Sequence, residues 1–329
     1  MATRNDVAKR AGVSGATVTR VLSSPKLVSE HTREKVMQAV RELNYHPNYS
    51  GQILKEKCTR QVLFFCPDFY NPFYVHVFYG MDDYAQKQKY NIVLTRHFDK
   101  ESIQRGRYDG IIFCALDDNQ YSQNVQFLED IGMPYVTAAF YQKLFHAPNV
   151  AFDYNQCTGL VIDHLYKLGH REIAYVSDTS NYDNKYNAVL NNIQSKSDIH
   201  CTRLLLNPAP ELYENLYEAG SLYAEKIYRM LQLPTAIIAA NDALATGLIS
   251  GLTHNGIHIP NDLSVISFDD TFMTRFIIPP LTTIHFPKYE MGQTLMKVLL
   301  SVIEGNPCEN VALPSRLIIR ESTAPLKHE

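Results

Sequence analysis

Small, polar and basic side chains lie along one side of a segment with helical spacing near the start of the chain. On that side stand Gly15, Thr17, Thr19 and Arg20. The apolar side comprises Ala16, Val18, Val21 and Leu22. Hydroxyl and guanidinium groups can bond phosphate oxygens and base edges, and small residues let a helix approach a duplex closely. The segment therefore predicts a helix that enters a DNA major groove, with Gly15 and Ala16 as close-contact positions and Arg20 for a guanine edge or a phosphate.

Two capping residues and a glycine predict the elements that hold this helix. Thr3 can cap a first helix, and Gly12 can take the left-handed conformation that ends it. Ser14 can then cap the second helix by accepting from the free amides of its first turn. Ser29 precedes a third amphipathic stretch at 30–43, so three short helices can share one small core. The same pattern also fits an ordinary helical hairpin with no role at DNA.

Charge is distributed unevenly along the 329 residues. Residues 1–60 hold eleven Lys or Arg and five Asp or Glu, a formal charge of +6, whereas the other 269 residues carry −9 and the total is −3. A basic head on an acidic body fits attraction to phosphate at one end and solubility at the other. This charge distribution favours a DNA-binding helix pair over an ordinary helical hairpin with no role at DNA.

Beyond residue 60 the sequence alternates short apolar runs with helical stretches. The runs predicted as strands are 62–66, 92–95, 111–115, 135–138, 173–177, 236–240 and 263–268. The helical stretches are 73–89, 155–168, 219–231 and 242–255. This alternation predicts an α/β fold of doubly wound parallel sheets. Two similar lobes fit the length better than one sheet of more than ten strands.

Several strings of residues resemble the lactose-repressor (LacI/GalR) family of transcription regulators in order and spacing. They are residues 7–22, 44–48, 71–73, 169–174, 240–242, 268–270 and 279–283. The resemblance runs from about residue 3 to Thr323. It implies a helix-turn-helix DNA-binding domain at 1–46, a hinge at 47–60, and a periplasmic-binding-protein-like body at 61–329. The body's two lobes are expected at about 61–153 with 285–313 and at about 154–284 with 314–329.

The resemblance also implies a set of DNA-contacting residues. The hinge is expected to become a helix on DNA, where Leu54 from each subunit wedges into the minor groove and bends the duplex. The full predicted set is Thr3, Ser14, Gly15, Ala16, Thr17, Thr19, Arg20, Asn48 and Leu54.

Polar residues follow several predicted strands, where a doubly wound sheet opens its crevice. By match to the family's strings, Asn241 and Asp269 are expected to contact an effector, and Phe73 to form an apolar wall. Asp242 fits a helix cap as well as a ligand contact, and Asn71 fits a turn before Pro72.

Two departures from the family concern the ligand. Tyr182, which is included among the predicted effector contacts, stands where sugar-binding relatives commonly carry an arginine, in an alignment through Lys185 and Tyr186. Ala139 stands where they often carry an aspartate. Because arginine and aspartate fix the hydroxyls or carboxylate of small polar ligands, these changes weaken the case for an ordinary sugar.

Other classes of protein fit the sequence less well. The fifteen glycines contain no Gly-x-Gly pair, which excludes a dinucleotide loop and a nucleophile elbow, and the twelve histidines lack metal spacing. We therefore expect no catalytic activity, no cofactor and no metal, and we expect His170 to cap a helix end. A transport binding protein would need an export signal, but Arg4, Asp6, Lys9 and Arg10 stand where such a signal would have its apolar core. We expect a cytoplasmic protein with no membrane segment.

The expected partners are a near-palindromic DNA operator, a second copy of the chain and a small-molecule effector. One head reads too few base pairs for useful specificity, so a dimer is needed. The expected function is repression whose DNA affinity is coupled to an effector between the lobes. Control by a protein partner, and loss of the ligand response, are the alternatives.

Overall fold

The computed structural model describes residues 2–45, 58–66, 71–114, 118–138, 147–177, 183–205 and 215–327. They fall into two units, Met1–Thr59 and Arg60–Glu329, here called the head and the body. The predicted hinge at 47–60 lies almost wholly outside the described residues.

The head is a cluster of three helices. They are α1 (Arg4–Ala11), α2 (Gly15–Ser23) and α3 (Glu30–Glu42), with a 3-10 turn at Pro25–Leu27. Gly12 ends α1 with a φ of 66°, and Ser14 caps α2. Val7, Val18 and Val36 are fully buried between the helices, which gives this small unit its own core. Ala16 was predicted on the apolar side of α2, but that assignment is wrong, because its side chain is exposed.

The body contains two six-stranded sheets, each covered by helices. The first sheet has β1 (Gln61–Phe65), β2 (Asn91–Thr95), β3 (Gly110–Phe113), β4 (Tyr135–Ala138), β5 (Asn149–Phe152) and β11 (Val311–Leu313), in the order β11-β5-β4-β3-β1-β2. Its helices are α4 (Pro72–Lys87), α5 (Lys100–Gln104), α6 (Asp118–Asp130) and α11 (Lys288–Ile303). We call this assembly the first lobe. All its strand pairs are parallel.

The second lobe repeats the plan. Its strands are β6 (Glu172–Ser177), β7 (His200–Leu205), β8 (Ala236–Ala239), β9 (Ser264–Asp269), β10 (Thr282–His285) and β12 (Arg316–Ile318), in the order β12-β10-β9-β8-β6-β7. Its helices are α7 (Tyr154–Lys167), α8 (Asn184–Ile193), α9 (Leu216–Tyr228) and α10 (Asp242–His254), followed by a 3-10 turn at Phe272–Arg275. Only the pair β10 and β12 is antiparallel among the described strands. The expected pair of doubly wound α/β sheets is therefore confirmed.

The chain passes between the lobes three times, from β5 to α7, from β10 to α11, and from β11 to β12. These crossings place the ends of several strands beside one another. They also bring Phe152, at the end of β5, against Phe286, just after β10, with ring centroids 4.1 Å apart.

Glycines let two pairs of helices pack backbone against backbone. A Cβ on Gly80 of α4 would lie 1.9 Å from the carbonyl oxygen of Tyr289 on α11. A Cβ on Gly247 of α10 would lie 2.0 Å from the carbonyl oxygen of Tyr217 on α9. Any larger residue would force these helices apart, so the two pairs act as fixed supports for the strand ends.

The C-terminal segment is part of the second lobe. Ser322 Oγ accepts from the amide of Thr282 at 2.8 Å and donates to the carbonyl of Val265 at 2.6 Å. His170 is buried, with Nε2 3.0 Å from the carbonyl oxygen of Ala324. The expectation that His170 caps a helix end holds for its backbone, whose amide donates to the Leu165 carbonyl at 3.1 Å after Gly169 turns the chain at φ 92°. The His170 side chain instead bonds the C-terminal segment. Within the described ranges, no helix has the length and apolar character required to cross a bilayer.

Candidate functional site

Helix α2 is held by hydroxyl caps at its own start and at the start of α1. Ser14 Oγ accepts from the Thr17 amide at 3.1 Å and lies 2.9 Å from Thr17 Oγ1. Thr3 Oγ1 accepts from the Asp6 amide at 3.3 Å, while the Thr3 amide donates to the Asp6 carboxylate at 2.8 Å. This capping box lowers the pKa of Asp6, chiefly through the hydrogen bond from the Thr3 side chain. Thr3, Ser14 and Thr17, which are predicted to contact DNA, thus also stabilise the starts of α1 and α2.

The outward side of α2 presents Ala16, Thr19 and Arg20, all exposed, beside the half-exposed Gly15. Thr19 Oγ1 donates to the Gly15 carbonyl at 3.1 Å. A Cβ on Gly15 would lie 3.5 Å from the nearest atom of Arg4, an ordinary contact, so the head's own packing does not require glycine there. Within the described part of the chain, the Arg20 guanidinium makes no hydrogen bond or ion pair, and its donors face solvent.

Three of the predicted site residues, Asn48, Leu54 and Tyr182, lie outside the described residues, as does Ala139. The other predicted contacts to an effector lie near strand ends in the body. They are Phe73, one residue into α4, Asn241, which follows β8, and Asp269, the last residue of β9.

Asn241 and its neighbour Asp242 make hydrogen bonds to different parts of the second lobe. Asn241 caps α10, its Oδ1 accepting from the Leu244 amide at 2.9 Å. The suggestion that Asp242 caps this helix is therefore wrong. Asp242 is 1% exposed, and its carboxylate accepts from Ser267 Oγ at 2.5 Å, from the Thr271 amide at 2.6 Å and from Thr283 Oγ1 at 2.8 Å. Burial raises the Asp242 pKa, which these hydrogen bonds oppose. Asp242 joins α10 to the ends of β9 and β10.

Asp269 ends β9 in a left-handed conformation with a φ of 112°. Its side chain is buried, and burial raises its pKa to about 7. Lys185 and Lys288 oppose that rise, whereas Asp242 adds to it. Lys288 is also buried, and its ammonium donates to the carbonyl oxygens of Asp269, Asp270 and Phe286. A lysine at the start of α11 therefore holds the backbone of the strand ends at the β10 to α11 crossing.

A second charged group, missed from the sequence, lies one residue further on. Asp270 is 8% exposed and accepts from Arg320 Nη2 at 2.6 Å and from His285 Nδ1 at 2.8 Å. Although burial raises the Asp270 pKa, the hydrogen bonds from Arg320 and His285 outweigh it and hold the pKa below its usual value. The only signal in the sequence was the Phe268-Asp269-Asp270 string, because Arg320 is fifty positions away.

Aromatic rings from both lobes pack together between the strand ends. Phe73, 6% exposed, lies with its ring perpendicular to those of Phe152 and Phe286, at centroid distances of 6.2 and 6.4 Å. Phe268, at the end of β9, lies nearly parallel to Phe286 at 6.3 Å. Phe73 is thus part of a buried cluster of four aromatic rings, and its role as an apolar wall for an effector stays a prediction.

A lysine that sequence reasoning used only for alignment reaches the same cleft. Lys185 Nζ, from the first turn of α8, donates to the Ala240 carbonyl at 2.6 Å, just after β8. The nitrogen lies 5.1 Å from the Phe268 ring centroid and 5.9 Å from that of Phe286. The body therefore places a cation, a buried carboxyl group and a set of buried aromatic rings close together between the two lobes.

A helix-turn-helix head followed by a two-lobed α/β body with a polar and aromatic cleft defines a class of transcription regulators. Residues 3–48 match the family described as bacterial regulatory proteins of the lacI family, and residues 162–323 match a periplasmic binding protein-like domain. The catabolite control protein A of Priestia megaterium is 32% identical, over 97% of this chain and 98% of its own length. The chain belongs to the lacI family and is a DNA-binding transcriptional regulator.

Solved structures agree with this assignment. The lac repressor dimer bound to operator and the anti-inducer ONPF matches with a TM-score of 0.80 at 26% identity, covering 98% of this chain and 99% of that one. A LacI family regulator from Enterococcus faecium with bound ribose matches with a TM-score of 0.70 at 28% identity, covering 81% of this chain and 100% of that one.

Proposed function

We propose that the protein is a homodimeric repressor that binds a near-palindromic operator and whose DNA affinity is set by a small molecule in the cleft. The observation that carries this proposal is the outward side of α2, where Arg20 stands exposed beside small residues. Its donors are free to reach a guanine edge or a phosphate. The lac repressor dimer on its operator supports the same arrangement.

Exposed apolar residues on the body support dimerisation. Phe276 and Ile278, in the second lobe after the 3-10 turn, are 73% and 88% exposed. On the first lobe, Tyr79 of α4 and Tyr289 of α11 are 56% and 44% exposed. Large exposed apolar side chains near one another are typical of interfaces between subunits. A dimer places two heads on one operator, so that half-site spacing follows from the dimer axis.

The division of the chain and the remaining residue roles belong to the same proposal. The DNA-binding domain spans 1–46 and the hinge 47–60. The lobes of the body span about 61–153 with 285–313 and about 154–284 with 314–329. The DNA contacts are Thr3, Ser14, Gly15, Ala16, Thr17, Thr19, Arg20, Asn48 and Leu54. The effector contacts are Phe73, Tyr182, Asn241 and Asp269.

We propose further that the chain is not an enzyme and that it acts in the cytoplasm, where its DNA target lies. Lys288, a buried amine near the strand ends, donates to three backbone carbonyl oxygens. Asp270 is engaged by Arg320 and His285. Both side chains act as supports of the backbone, as in a binding site.

The experiment that tests the DNA role compares Arg20→Ala with Arg41→Ala, which removes an exposed arginine from α3. Genomic fragments selected by the purified wild type provide the operator, and fluorescence anisotropy gives Kd at several salt concentrations. Arg20→Ala should weaken binding by roughly 5- to 150-fold, corresponding to about 1–3 kcal/mol. If Arg20 bonds a guanine, the loss will be confined to sequences carrying that base; if it bonds a phosphate, the salt slope will fall by about 1.

Two results would contradict the proposal. One is a wild type with no salt-sensitive, sequence-specific DNA binding. The other is an Arg20→Ala protein that binds as tightly as Arg41→Ala. The proposed control by an effector is tested separately. Sugars and sugar phosphates are titrated into the full chain, and operator affinity is measured in the same samples. A protein whose operator affinity responds to none of these compounds would act without a ligand.

A further inference from the structure

The acidic body carries one basic stretch. Residues 87–107 hold six Lys or Arg and two Asp or Glu, a formal charge of +4, whereas the rest of 61–329 carries −13. All six basic side chains are exposed: Lys87, Lys89, Arg96, Lys100, Arg105 and Arg107. Like charges on one surface repel each other, so their concentration on an otherwise negative body favours an anionic partner.

Three of these cations lie where strands of the first lobe begin, together with the first residue of the body. Lys87 ends α4, Lys89 precedes β2 by two residues, and Arg107 precedes β3 by three. Arg60 directly precedes β1. Because β2, β1 and β3 are parallel neighbours, their first residues lie side by side. We call Arg60, Lys87, Lys89 and Arg107 the basic edge.

Arg60 is fixed to the starts of the two neighbouring strands. Its amide donates to Asp109 Oδ2 at 2.8 Å, and its carbonyl oxygen accepts from the Asn91 amide at 2.9 Å. Its guanidinium carbon lies 5.2 Å from the Tyr90 ring centroid. Within the described ranges, no side chain of the basic edge forms an ion pair. The positive charges of this edge are therefore held in place without a carboxylate to neutralise them.

The backbone gives an independent reason to assign a function to these side chains. Arg60 has a φ of 56° and Lys89 a φ of 60°, and they are two of the five non-glycine residues with positive φ in the described part of the chain. In this conformation the Cβ of an L-residue comes close to a carbonyl oxygen, whereas glycine avoids the contact. Such strained residues cluster at functional sites. Retaining a long cation at both positions indicates that the side chains are needed.

The DNA bound by the head is the polyanion nearest to this edge along the chain. Residues 47–59 connect the head to Arg60. These residues span at most about 45 Å when fully extended and about 20 Å in the helical form expected on DNA. A duplex carries one negative charge for about every 1.7 Å of its axis, so many phosphates lie within that reach.

We propose that the basic edge of the body binds the phosphate backbone of the operator, as a second DNA contact beside that of α2. This inference rests on the proposed binding of an operator by the head. The second contact carries no base specificity, because phosphates are the same at every base pair. It contributes affinity and salt dependence, while α2 reads the sequence.

The test uses the full chain, the operator selected by the wild type, and fluorescence anisotropy at several salt concentrations. The variants are Lys89→Gly and Arg107→Gln. Because a dimer carries each substitution twice, the slope of log Kd against log salt concentration should fall by about 2 in each variant. Affinity should fall roughly 60-fold at 0.1 M salt, and the loss should vanish near 1 M. Operators with single base changes should keep their order of affinity.

Two controls separate a phosphate contact from other effects. Lys297→Gln removes an exposed cation from the middle of α11, in the same lobe but away from the basic edge, and should change Kd by no more than about 2-fold. Lys89→Gly also relieves the left-handed backbone, so this variant should melt no lower than the wild type. Its lower DNA affinity then cannot result from a less stable fold.

Three outcomes overturn the inference. Lys89→Gly and Arg107→Gln proteins with the Kd and salt slope of Lys297→Gln would mean that the basic edge serves another anion, such as an acidic protein. Equal losses in all three variants would mean that only the net charge of the body matters. A changed order of affinity among the altered operators would mean a contact with bases and not with phosphates.

The wild type separates failure of this inference from failure of the proposed function. A wild type that binds its operator, while both basic-edge variants behave like Lys297→Gln, contradicts only the second contact. A wild type without salt-sensitive, sequence-specific binding contradicts the proposed function itself.

Discussion

Replacing Asp269 with Asn should stabilise the body at neutral and alkaline pH. The native carboxyl group keeps its proton up to a pH of about 7, because burial opposes its ionisation, whereas in the unfolded chain its pKa is close to 3.8. The native state therefore binds more protons than the unfolded state between those values. By linkage, the wild type loses stability as the pH rises from about 4 to about 7, and the loss is complete above that range. An amide carries no such penalty.

The size of the gain follows from the two pKa values. Each pKa unit corresponds to about 1.4 kcal/mol, so moving from 3.8 to about 7 disfavours the ionised native state by about 4 kcal/mol at pH 8. At pH 4.5 the same relation leaves about 1 kcal/mol. The attraction of Lys185 and Lys288 is already contained in these figures. Asparagine also tolerates the left-handed backbone at φ 112°, so the substitution adds no strain there.

Calorimetric or denaturant unfolding of the full chain between pH 4.5 and 8 measures the difference between Asp269→Asn and wild type. The gain should grow with pH and level off near pH 8, and the exposed Asp130→Asn is the matched control. A gain in stability that is equal at pH 4.5 and pH 8, or a loss of stability at pH 8, would refute the reasoning. Either result would mean that ionisation of Asp269 does not destabilise the native state. If Asp269 also contacts the effector, the stabilised variant should lose part of its response.

Three other substitutions test the supports of the head and the body. Ser14→Ala removes the cap of α2 and should destabilise the head by about 1 kcal/mol, seen as a lower melting midpoint by circular dichroism. Gly247→Ala places a Cβ 2.0 Å from the Tyr217 carbonyl oxygen, so α9 and α10 must separate, and denaturant unfolding should show a loss of roughly 1–3 kcal/mol. Arg320→Met leaves the buried Asp270 without its guanidinium partner and should cost roughly 3–5 kcal/mol by the same measurement.

Two of these substitutions have a paired control. Ser14→Asp keeps an acceptor at the cap and should restore most of the head's stability. Arg316→Met, which removes an exposed arginine of β12, should leave the body within about 0.5 kcal/mol of wild type. Equal losses in Arg320→Met and Arg316→Met would mean that the Asp270 network contributes little, and an unchanged Gly247→Ala protein would contradict the close packing of the helices.

The parts of the fold that the sequence predicted are those with strong local patterns. The buried central strands β1, β3, β6, β8 and β9 appear as apolar runs because both faces of each sheet are covered by helices. Strand β7 was missed because it pairs only with β6 and alternates between exposed and half-buried residues. Strands β11 and β12, three residues each, are too short to carry a period. Their positions depend on pairing with β5 and β10, which no local pattern records.

The same distinction between local patterns and distant contacts holds for the candidate site. Phe73, Asn241 and Asp269 follow strands or begin helices, so their places near the cleft could be anticipated from position alone. Lys185, Lys288 and Arg320 could not, because each reaches the strand ends from another element and bonds partly to backbone carbonyls, which have no sequence signature. That Asn241 and Asp269 contact an effector stays a prediction.

The three crossings between the lobes also govern how proteins of this design can be recombined. The head is one continuous stretch, so a single joint near residue 60 is enough to transplant it onto another body. Each lobe is assembled from separated stretches and shares three joints with the other, so a chimaera that exchanges one lobe must match all three. Exchange of the whole head can therefore change which operator is bound. A change in the ligand that is bound is reached by single substitutions at the strand ends. The two specificities can diverge by different genetic routes.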